Sequence, residues 1–336
     1  MKVLILGGGY GLLLAGFLHE RSINFDIFAT PEEVRVLNDD GFIIRGRSQP
    51  DLQVVPNVRW HAITELDSFK YDLVVFSMPE GSYKNSGLND LLISILHNKT
   101  PILNVMNIPL PKFVSDTLKC LTNVSRVKGC FSSFSVLNKI PAAQIINASP
   151  EPQIYKGPKI NEINIRLGGV FRCSNFNGRI KSNYFDRLRE QPTTTSLPIS
   201  IKDYASPWTS VSKWPMLLTG NYRCISEGKI VTIADAVLKD LNSSAAIYNQ
   251  IACDMRLLGA PRNTIIPFNF YANVAKKLDA PSSVARAIIG GSRNIERVDL
   301  LLLKIFSLKG IQNLQLEKIS RNIDENIANF SAKGSC

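Results

Sequence analysis

The sequence is poor in the residues that most often build metal and nucleophile sites. It contains three histidines in 336 residues, none of them beside a cysteine, an aspartate or an HExxH pattern. The six cysteines are scattered and form no CxxC pair. These absences argue against a histidine-ligated zinc site, a histidine general base and a disulfide framework. We therefore expect reduced thiols, a cytoplasmic location and no metal.

Long hydrophobic runs and blocks of one charge are also missing. The uncharged stretch from Val3 to Leu18 is short for a membrane span and is interrupted by glycines, so a strand, a turn and a helix explain it better than a signal peptide. Lys and Arg exceed Asp and Glu by 39 to 28, but the basic residues are dispersed. The excess indicates either an anionic small ligand or a generally basic host proteome. We expect neither nucleic acid nor a membrane as partner.

What the sequence does contain is a regular alternation of strand and helix patterns up to about residue 110. Apolar runs typical of buried strands lie at 2–6, 25–29, 72–78 and 101–106, with helical segments between them. This alternation predicts an open parallel sheet. The polar stretch 190–198 is the best linker candidate.

The chain after residue 200 has a different texture. Apolar residues recur there at helical spacing, with few strand signals, which predicts an all-α region. The segments with this spacing are 228–258, 267–278, 282–289 and 294–309. The length suits two domains of ordinary size or one large domain, and the 45% apolar content is enough for a full core.

A glycine-rich turn directly follows the first predicted strand and precedes a helix. In this context Gly7, Gly8 and Gly9 resemble a dinucleotide fingerprint, in which glycines turn the chain and let the backbone approach a pyrophosphate at the helix N-terminus. The match is imperfect, because the third fingerprint position falls on Leu12 and Gly11 comes one residue early. We predict that residues 7–12, including Tyr10, bind the cofactor; the alternative is a tight turn that binds no nucleotide.

The end of the second strand bears on the type of cofactor. An acidic residue there accepts the ribose hydroxyls of NAD, whereas this sequence has Thr30 and, one helical turn onward, Arg35. A hydroxyl and a guanidinium suit a 2′-phosphate, which favours NADPH/NADP. Glu32 and Glu33 weaken this interpretation because either could curl back towards the ribose.

The fold class predicted from these patterns is α/β. It combines a Rossmann-type NADP-binding domain over 1–200 with a helical substrate or dimerisation domain over 201–336.

Several motifs together resemble the ketopantoate reductase (2-dehydropantoate 2-reductase) family. In the N-terminal half these are MKVLILGGG, GFIIRG and the Asn107 turn, which resembles a QNG turn near the nicotinamide and substrate. In the C-terminal half Lys213 and Asn221 stand eight apart, as do a lysine and an asparagine of the family. Ser282 and Ser283 resemble its SSM motif, and Glu296 in RNIE resembles its active-site glutamate.

The resemblance implies an NADPH-dependent oxidoreductase that acts on a C=O group. By this resemblance Lys213 would be the proton donor. Glu296 would either bind a substrate hydroxyl or orient Lys213. Asn107, Asn221 and one or both serines would bind the substrate, with Asn107 also near the cofactor. Plainer alternatives remain: Lys213 at the surface, Glu296 in an exposed ion-pair helix, Asn221 as the cap of a helix or turn after Gly220, and the Ser282–Ser283 pair as a helix cap.

The sequence also departs from the family. Leu217 stands where the family has an intermediate asparagine, and Pro79 where a lysine usually ends the third long strand. Pro215 prevents an uninterrupted helix, so Lys213 is expected at or before a helix start. We therefore expect a divergent reductase of a 2-keto acid or related carbonyl compound. The alternatives are reduction of an imine or a bulkier keto compound and a non-catalytic NADP sensor, and a homodimer is possible.

Overall fold

The computed structural model describes residues 1–46, 50–54, 70–84, 87–118, 129–174, 186–188, 196–226 and 228–333. Most of the predicted linker 190–198 therefore lies outside the described residues. The chain forms two compact units, and each unit consists of two separate segments of the chain. The first contains Met1–Pro109 and Asn138–Ser210, and the second contains Leu110–Leu137 and Val211–Cys336.

The strands and helices alternate in the first half of the chain, as the sequence pattern predicts. The strands are β1 (Lys2–Leu6), β2 (Asn24–Phe28), β3 (Phe42–Gly46), β4 (Leu52–Val54), β5 (Leu73–Phe76), β6 (Ile102–Val105), β7 (Ile145–Pro150), β8 (Gln153–Lys156), β9 (Glu162–Leu167), β10 (Gly169–Ser174), β11 (Ile199–Tyr204), β12 (Ile225–Ser226) and β13 (Lys229–Ile230). The α-helices are α1 (Tyr10–His19), α2 (Pro31–Asp40), α3 (Gly87–His97), α4 (Phe134–Leu137), α5 (Trp214–Thr219), α6 (Ile233–Leu238), α7 (Leu241–Leu257), α8 (Phe268–Ala275), α9 (Ser283–Ile289), α10 (Val298–Leu308) and α11 (Leu314–Lys333).

The main sheet of the first unit has the strand order β2-β1-β5-β6-β7-β10-β11. The strands from β2 to β7 are parallel, β10 is antiparallel to β7, and β11 is parallel to β10. Strand β1 is buried along Val3–Leu6, as expected for a parallel strand covered on both faces. The chain runs from β1 to β2 on one side and later to β5 on the other. The carboxyl ends of β1 and β5 therefore form the switch point where such sheets bind ligands.

Helix α2 begins where its sequence predicts. Thr30 is the N-cap residue, Pro31 follows it, and Glu33 completes a capping box with the Thr30 backbone and side chain. Helix α1 packs closely on a second sheet, of order β4-β3-β9-β8. A Cβ on Gly16 would lie 2.4 Å from Ile44 Cδ1 of β3, so a larger residue here would displace the end of that side chain.

The second unit is mainly helical, which agrees with the predicted fold class. The short hairpin of β12 and β13 is an addition to the predicted all-α pattern. The predicted continuous segment 228–258 is divided, because Thr232 caps α6 and Asp240 caps α7. Helix α11 lies beyond the segments singled out in the sequence. Among the described residues, no helix is both long and apolar enough to cross a membrane.

Candidate functional site

The turn after β1 brings the ends of two neighbouring strands together. Gly7 has φ 100°, a left-handed conformation that L side chains rarely adopt. A Cβ at this position would lie 2.9 Å from both Met78 Cα and the Ser77 carbonyl oxygen. Gly7 is therefore glycine for two reasons, its backbone conformation and the close passage of the chain after β5.

The next two glycines leave space at the start of α1. Gly8 has no left-handed backbone, and the one described atom near its absent Cβ is Glu33 Oε1, at 3.4 Å. Gly9 is the N-cap residue, with φ 55°, and its Cβ would meet Ile154 Cδ1 at 3.8 Å. No described side chain caps α1, and its first turn contains no acidic residue. This cradle and the helix N-terminus fit the diphosphate of a dinucleotide.

Leu12 stands at the third glycine position of the predicted fingerprint, and Gly11, one residue earlier, has the role of that glycine. A Cβ on Gly11 would lie 2.8 Å from Ser77 Oγ and 3.0 Å from Ile5 Cγ2, so this glycine permits close packing of α1 on the sheet. Leu12 is buried in the core. Tyr10 fixes the first turn of α1, because its hydroxyl donates a hydrogen bond to the Pro152 carbonyl at 2.9 Å.

The residues predicted to select the cofactor lie at the start of α2. The Thr30 hydroxyl donates to Glu33 Oε2 at 3.0 Å and accepts from the Glu33 backbone at 3.3 Å. The Thr30 backbone N–H donates to the same carboxylate oxygen at 3.0 Å. Arg35 is exposed. Thr30 is thus engaged in the capping box, and Glu33, whose charge weakens the NADPH interpretation, lies beside the glycine turn.

A buried amide network holds the turn that contains Asn107. Asn104 of β6 donates to Asn147 Oδ1 of β7 at 2.7 Å, and Asn147 donates to the Ile108 carbonyl at 3.1 Å. Asn107 itself accepts from Ser149 Oγ at 3.1 Å. Because β1, β5 and β6 are adjacent and parallel, this turn and the glycine turn lie at the same edge of the sheet.

Sequence reasoning missed the two buried asparagines. Asn104 and Asn147 are 0% and 1% exposed and are register partners in neighbouring strands. A signal was available, since Asn104 interrupts the otherwise apolar strand β6. Buried amides need partners, so such interruptions indicate a polar network.

In the second unit Lys213 immediately precedes a helix, which confirms the expectation based on Pro215. Lys213 is the N-cap residue of α5, and Pro215 lies in the first turn, where a missing N–H is tolerated. The Lys213 side chain is half-buried. Leu217 is buried in the same helix.

Asn221 and Ser282 are joined through the backbone. The Ser282 hydroxyl donates to the Asn221 carbonyl at 2.6 Å and accepts from the Ala285 backbone at 3.1 Å as the cap of α9. Ser282 is 2% exposed, whereas Ser283 is exposed. The cap alternative therefore accounts for Ser282. The substrate contacts predicted for Asn221, Ser282 and Ser283 stay predictions.

A buried tyrosine fixes the segment that carries Glu296. The Tyr222 hydroxyl donates to the Glu296 carbonyl and accepts from the Val298 backbone at 2.9 Å. Burial, and secondarily the charges of Asp299 and Glu296, raise the pKa of Tyr222, so it stays protonated. Because Asn221 is adjacent to Tyr222, the segments of Asn221, Ser282 and Glu296 form one connected group. Helix α5, which follows Lys213, contacts α10, which follows Glu296.

The Arg297 side chain forms ion pairs that stabilise the second unit. Its guanidinium contacts the buried Asp299 at 2.8 Å and Asp324 at 2.6 Å. Burial alone would lower the pKa of Arg297, but the hydrogen bonds and charges of the two aspartates raise it overall. Arg297 is therefore already paired with two aspartates. The ion pairing considered above for Glu296 is thus found at the next residue, Arg297. No group of three or more potential metal ligands occurs in the described part of the chain.

The fold matches solved structures over nearly its whole length. The 2-dehydropantoate 2-reductase from Geobacter metallireducens superposes with TM-score 0.73 at 12% identity, covering 97% of this chain and 99% of its own. The enzyme of the same name from Methylococcus capsulatus gives 0.69 at 13%, covering 98% of each chain. A D-mandelate dehydrogenase, solved with NADH and anilino(oxo)acetate, gives 0.69 at 13%, covering 98% and 99%. No protein-family model and no curated protein sequence matches the chain. The comparisons confirm the fold predicted from the resemblance.

Proposed function

We propose that this protein is an NAD(P)H-dependent reductase of a 2-keto acid or a related carbonyl compound. The observation that carries the proposal is the open cradle of Gly8 and Gly9 before the uncapped N-terminus of α1, at the switch point of the sheet. Its support is the match to 2-dehydropantoate reductases and a D-mandelate dehydrogenase over both units. The names of these proteins describe one type of reaction, the interconversion of a 2-keto acid and a 2-hydroxy acid.

The first unit supplies the residues that would hold the cofactor. The backbone of Gly8, Gly9 and Tyr10 would bind the diphosphate, and the start of α2 would bind the adenosine ribose. Asn107 would lie near the nicotinamide, in a turn kept rigid by the Asn104–Asn147 pair. When bound, the cofactor supplies a hydride.

The second unit supplies the polar groups that would handle the substrate. Histidine is nearly absent from the sequence, so a lysine ammonium suits the part of proton donor, and we assign it to Lys213 Nζ. Glu296 would bind a substrate hydroxyl or orient Lys213. Asn221 and Ser283 would hydrogen-bond the remaining polar groups, while Ser282 holds the Asn221 backbone. Leu217, in place of a polar contact, favours a substrate more apolar than pantoate's precursor.

A direct test combines binding and turnover. Titration calorimetry with NADH and NADPH measures cofactor binding, and oxidation of either cofactor is then followed with aliphatic and aromatic 2-keto acids. We expect Lys213→Ala to lower kcat by about 10²–10⁴-fold, with cofactor affinity unchanged. The matched control is Lys277→Ala, which removes an exposed lysine of the same unit.

The alternatives give different results in the same assays. Loss of binding to both cofactors would refute the proposal. Tight binding without turnover of any keto acid would favour the non-catalytic sensor, and undiminished turnover in Lys213→Ala would refute the assigned proton donor. A cytoplasmic location and a homodimer accompany the proposal as predictions; Cys130, Cys173 and Cys224 are buried.

A further inference from the structure

We infer that Glu33 makes this protein select NADH over NADPH. The inference rests on the proposed function, because it concerns the ribose end of the same cofactor site. It reverses the sequence-based preference for a 2′-phosphate, which depended on Thr30 and Arg35. Three features of the first unit support it. These are the position of the Glu33 carboxylate, the hydrogen bonds that hold it, and the placement of Thr30 and Arg35 beside it.

The carboxylate lies directly beside the glycine turn. Glu33 Oε1 is 3.4 Å from the position that a Cβ on Gly8 would occupy. Gly8 is the residue whose missing side chain lets a dinucleotide approach the backbone. A ligand bound over this turn therefore places the first groups beyond its diphosphate next to a negative charge.

The carboxylate is also held in place rather than free to swing away. Its Oε2 accepts from the Thr30 backbone N–H and from the Thr30 hydroxyl, each at 3.0 Å. These bonds belong to a capping box at the N-terminus of α2, where a negative charge is favoured by the helix dipole. One oxygen is thus used for the fold, and the other is directed towards the turn.

A carboxylate at this place distinguishes the two cofactors by simple chemistry. The ribose of NADH carries a 2′-hydroxyl, which can donate a hydrogen bond to Oε1. The 2′-phosphate of NADPH carries acceptor oxygens and close to two negative charges at neutral pH. It would therefore lose the hydrogen bond and be repelled by Glu33.

The two residues that favoured NADPH are less able to offset this repulsion. The Thr30 hydroxyl already donates its one hydrogen, to Glu33 itself. Arg35 is exposed and stands two residues after Glu33 on α2, and side chains two apart point to different sides of a helix. The Glu33 carboxylate is therefore the charged group that the described residues place against the Cβ position of Gly8.

The test is the ratio of dissociation constants for NADPH and NADH, measured by titration calorimetry on the whole protein. The variant is Glu33→Gln, because glutamine removes the charge and still completes a capping box. The matched control is Glu32→Gln, which makes the same change of net charge at the exposed neighbouring position. Melting temperatures of all three proteins check that α2 is intact. ADP-ribose and its 2′-phosphate repeat the comparison without the nicotinamide.

We expect the native protein to bind NADH about 100-fold more tightly than NADPH, the size of effect typical of juxtaposed like charges. Glu33→Gln should reduce this ratio at least tenfold, mainly by tighter NADPH binding, and Glu32→Gln should leave it unchanged. If NADPH binds as tightly as NADH to the native protein, or if Glu33→Gln does not change the ratio, the inference is wrong while the proposed function stands. If neither cofactor nor either fragment binds, the proposed function itself fails.

Discussion

Replacing Gly7 and Gly8 in turn by alanine separates the folding role of the glycine turn from its binding role. Gly7→Ala places a Cβ on a residue with φ 100° and 2.9 Å from two backbone atoms of residues 77 and 78. The left-handed conformation costs roughly 1–3 kcal/mol for a residue with a side chain, and forced overlap in a packed region roughly as much again. We therefore expect a loss of about 4 kcal/mol, seen as a fall in melting temperature of about 10 °C.

Gly8→Ala should have the opposite profile. Its backbone is not left-handed, and the new Cβ meets the side-chain atom Glu33 Oε1 at 3.4 Å, which requires a shift of only a few tenths of an ångström. Alanine at a compatible glycine position changes stability by less than about 1 kcal/mol. The methyl group would nevertheless occupy the space into which a diphosphate must approach, so dinucleotide affinity should fall at least about tenfold.

The two variants are compared by thermal unfolding and by calorimetric titration with NADH and NADPH. Native protein is the reference for both measurements. Gly228→Ala is the control for a left-handed glycine in open space, because its φ is 73° and no described atom lies near its absent Cβ, so it measures the backbone cost without overlap. Undiminished stability of Gly7→Ala would show that the close passage between the two strand ends is misplaced. Undiminished affinity of Gly8→Ala would show that the cradle does not hold the cofactor.

Three further substitutions test the groups around the site. Asn147→Ala leaves the buried Asn104 amide without its partner, so chemical denaturation should show a loss of about 1–3 kcal/mol, and a stability equal to that of the native protein would contradict the network. Tyr222→Phe removes the hydroxyl that bonds the Glu296 carbonyl and the Val298 N–H, so the free energy of unfolding should fall by a similar amount, with an unchanged value as the refuting result. Burial raises the pKa of Cys130 to about 11 from 9.0, so the thiol stabilises the fold below pH 9 and this contribution is lost as the pH rises towards 11. Cys130→Ala should therefore remove about 2 kcal/mol of the decline in stability over that range, whereas an identical decline in both proteins would contradict the assignment.

Local signals in the sequence predicted the parts of the fold that depend on neighbouring residues. The strand before Gly7, the cap at Thr30 and the helix start after Lys213 are each determined within a few residues by apolar runs, glycine conformation, capping chemistry or proline. Helix α1 begins at Tyr10, directly after the glycine turn, and Gly9 occupies its N-cap position without a side-chain hydrogen bond.

Features that depend on distant residues were not predictable in the same way. Strand β3 pairs with β9, more than a hundred residues later in the chain, and β10 reverses direction beside β7. No local pattern specifies such partners, because an apolar strand can pair with many others. For the same reason the sequence did not show that Glu33 lies beside Gly8, although the acidic residue itself was noted.

The interleaving of the two units has a consequence for the synthesis and dissection of the protein. Residues 110–137 belong to the second unit, yet the chain returns to the first unit before the remainder of the second is made. Phe113, Phe131 and Phe134, which are buried in the finished protein, would have to await partners that leave the ribosome later. A fragment beginning at Val211 would lack these aromatic rings, so cutting the gene once cannot yield both halves intact.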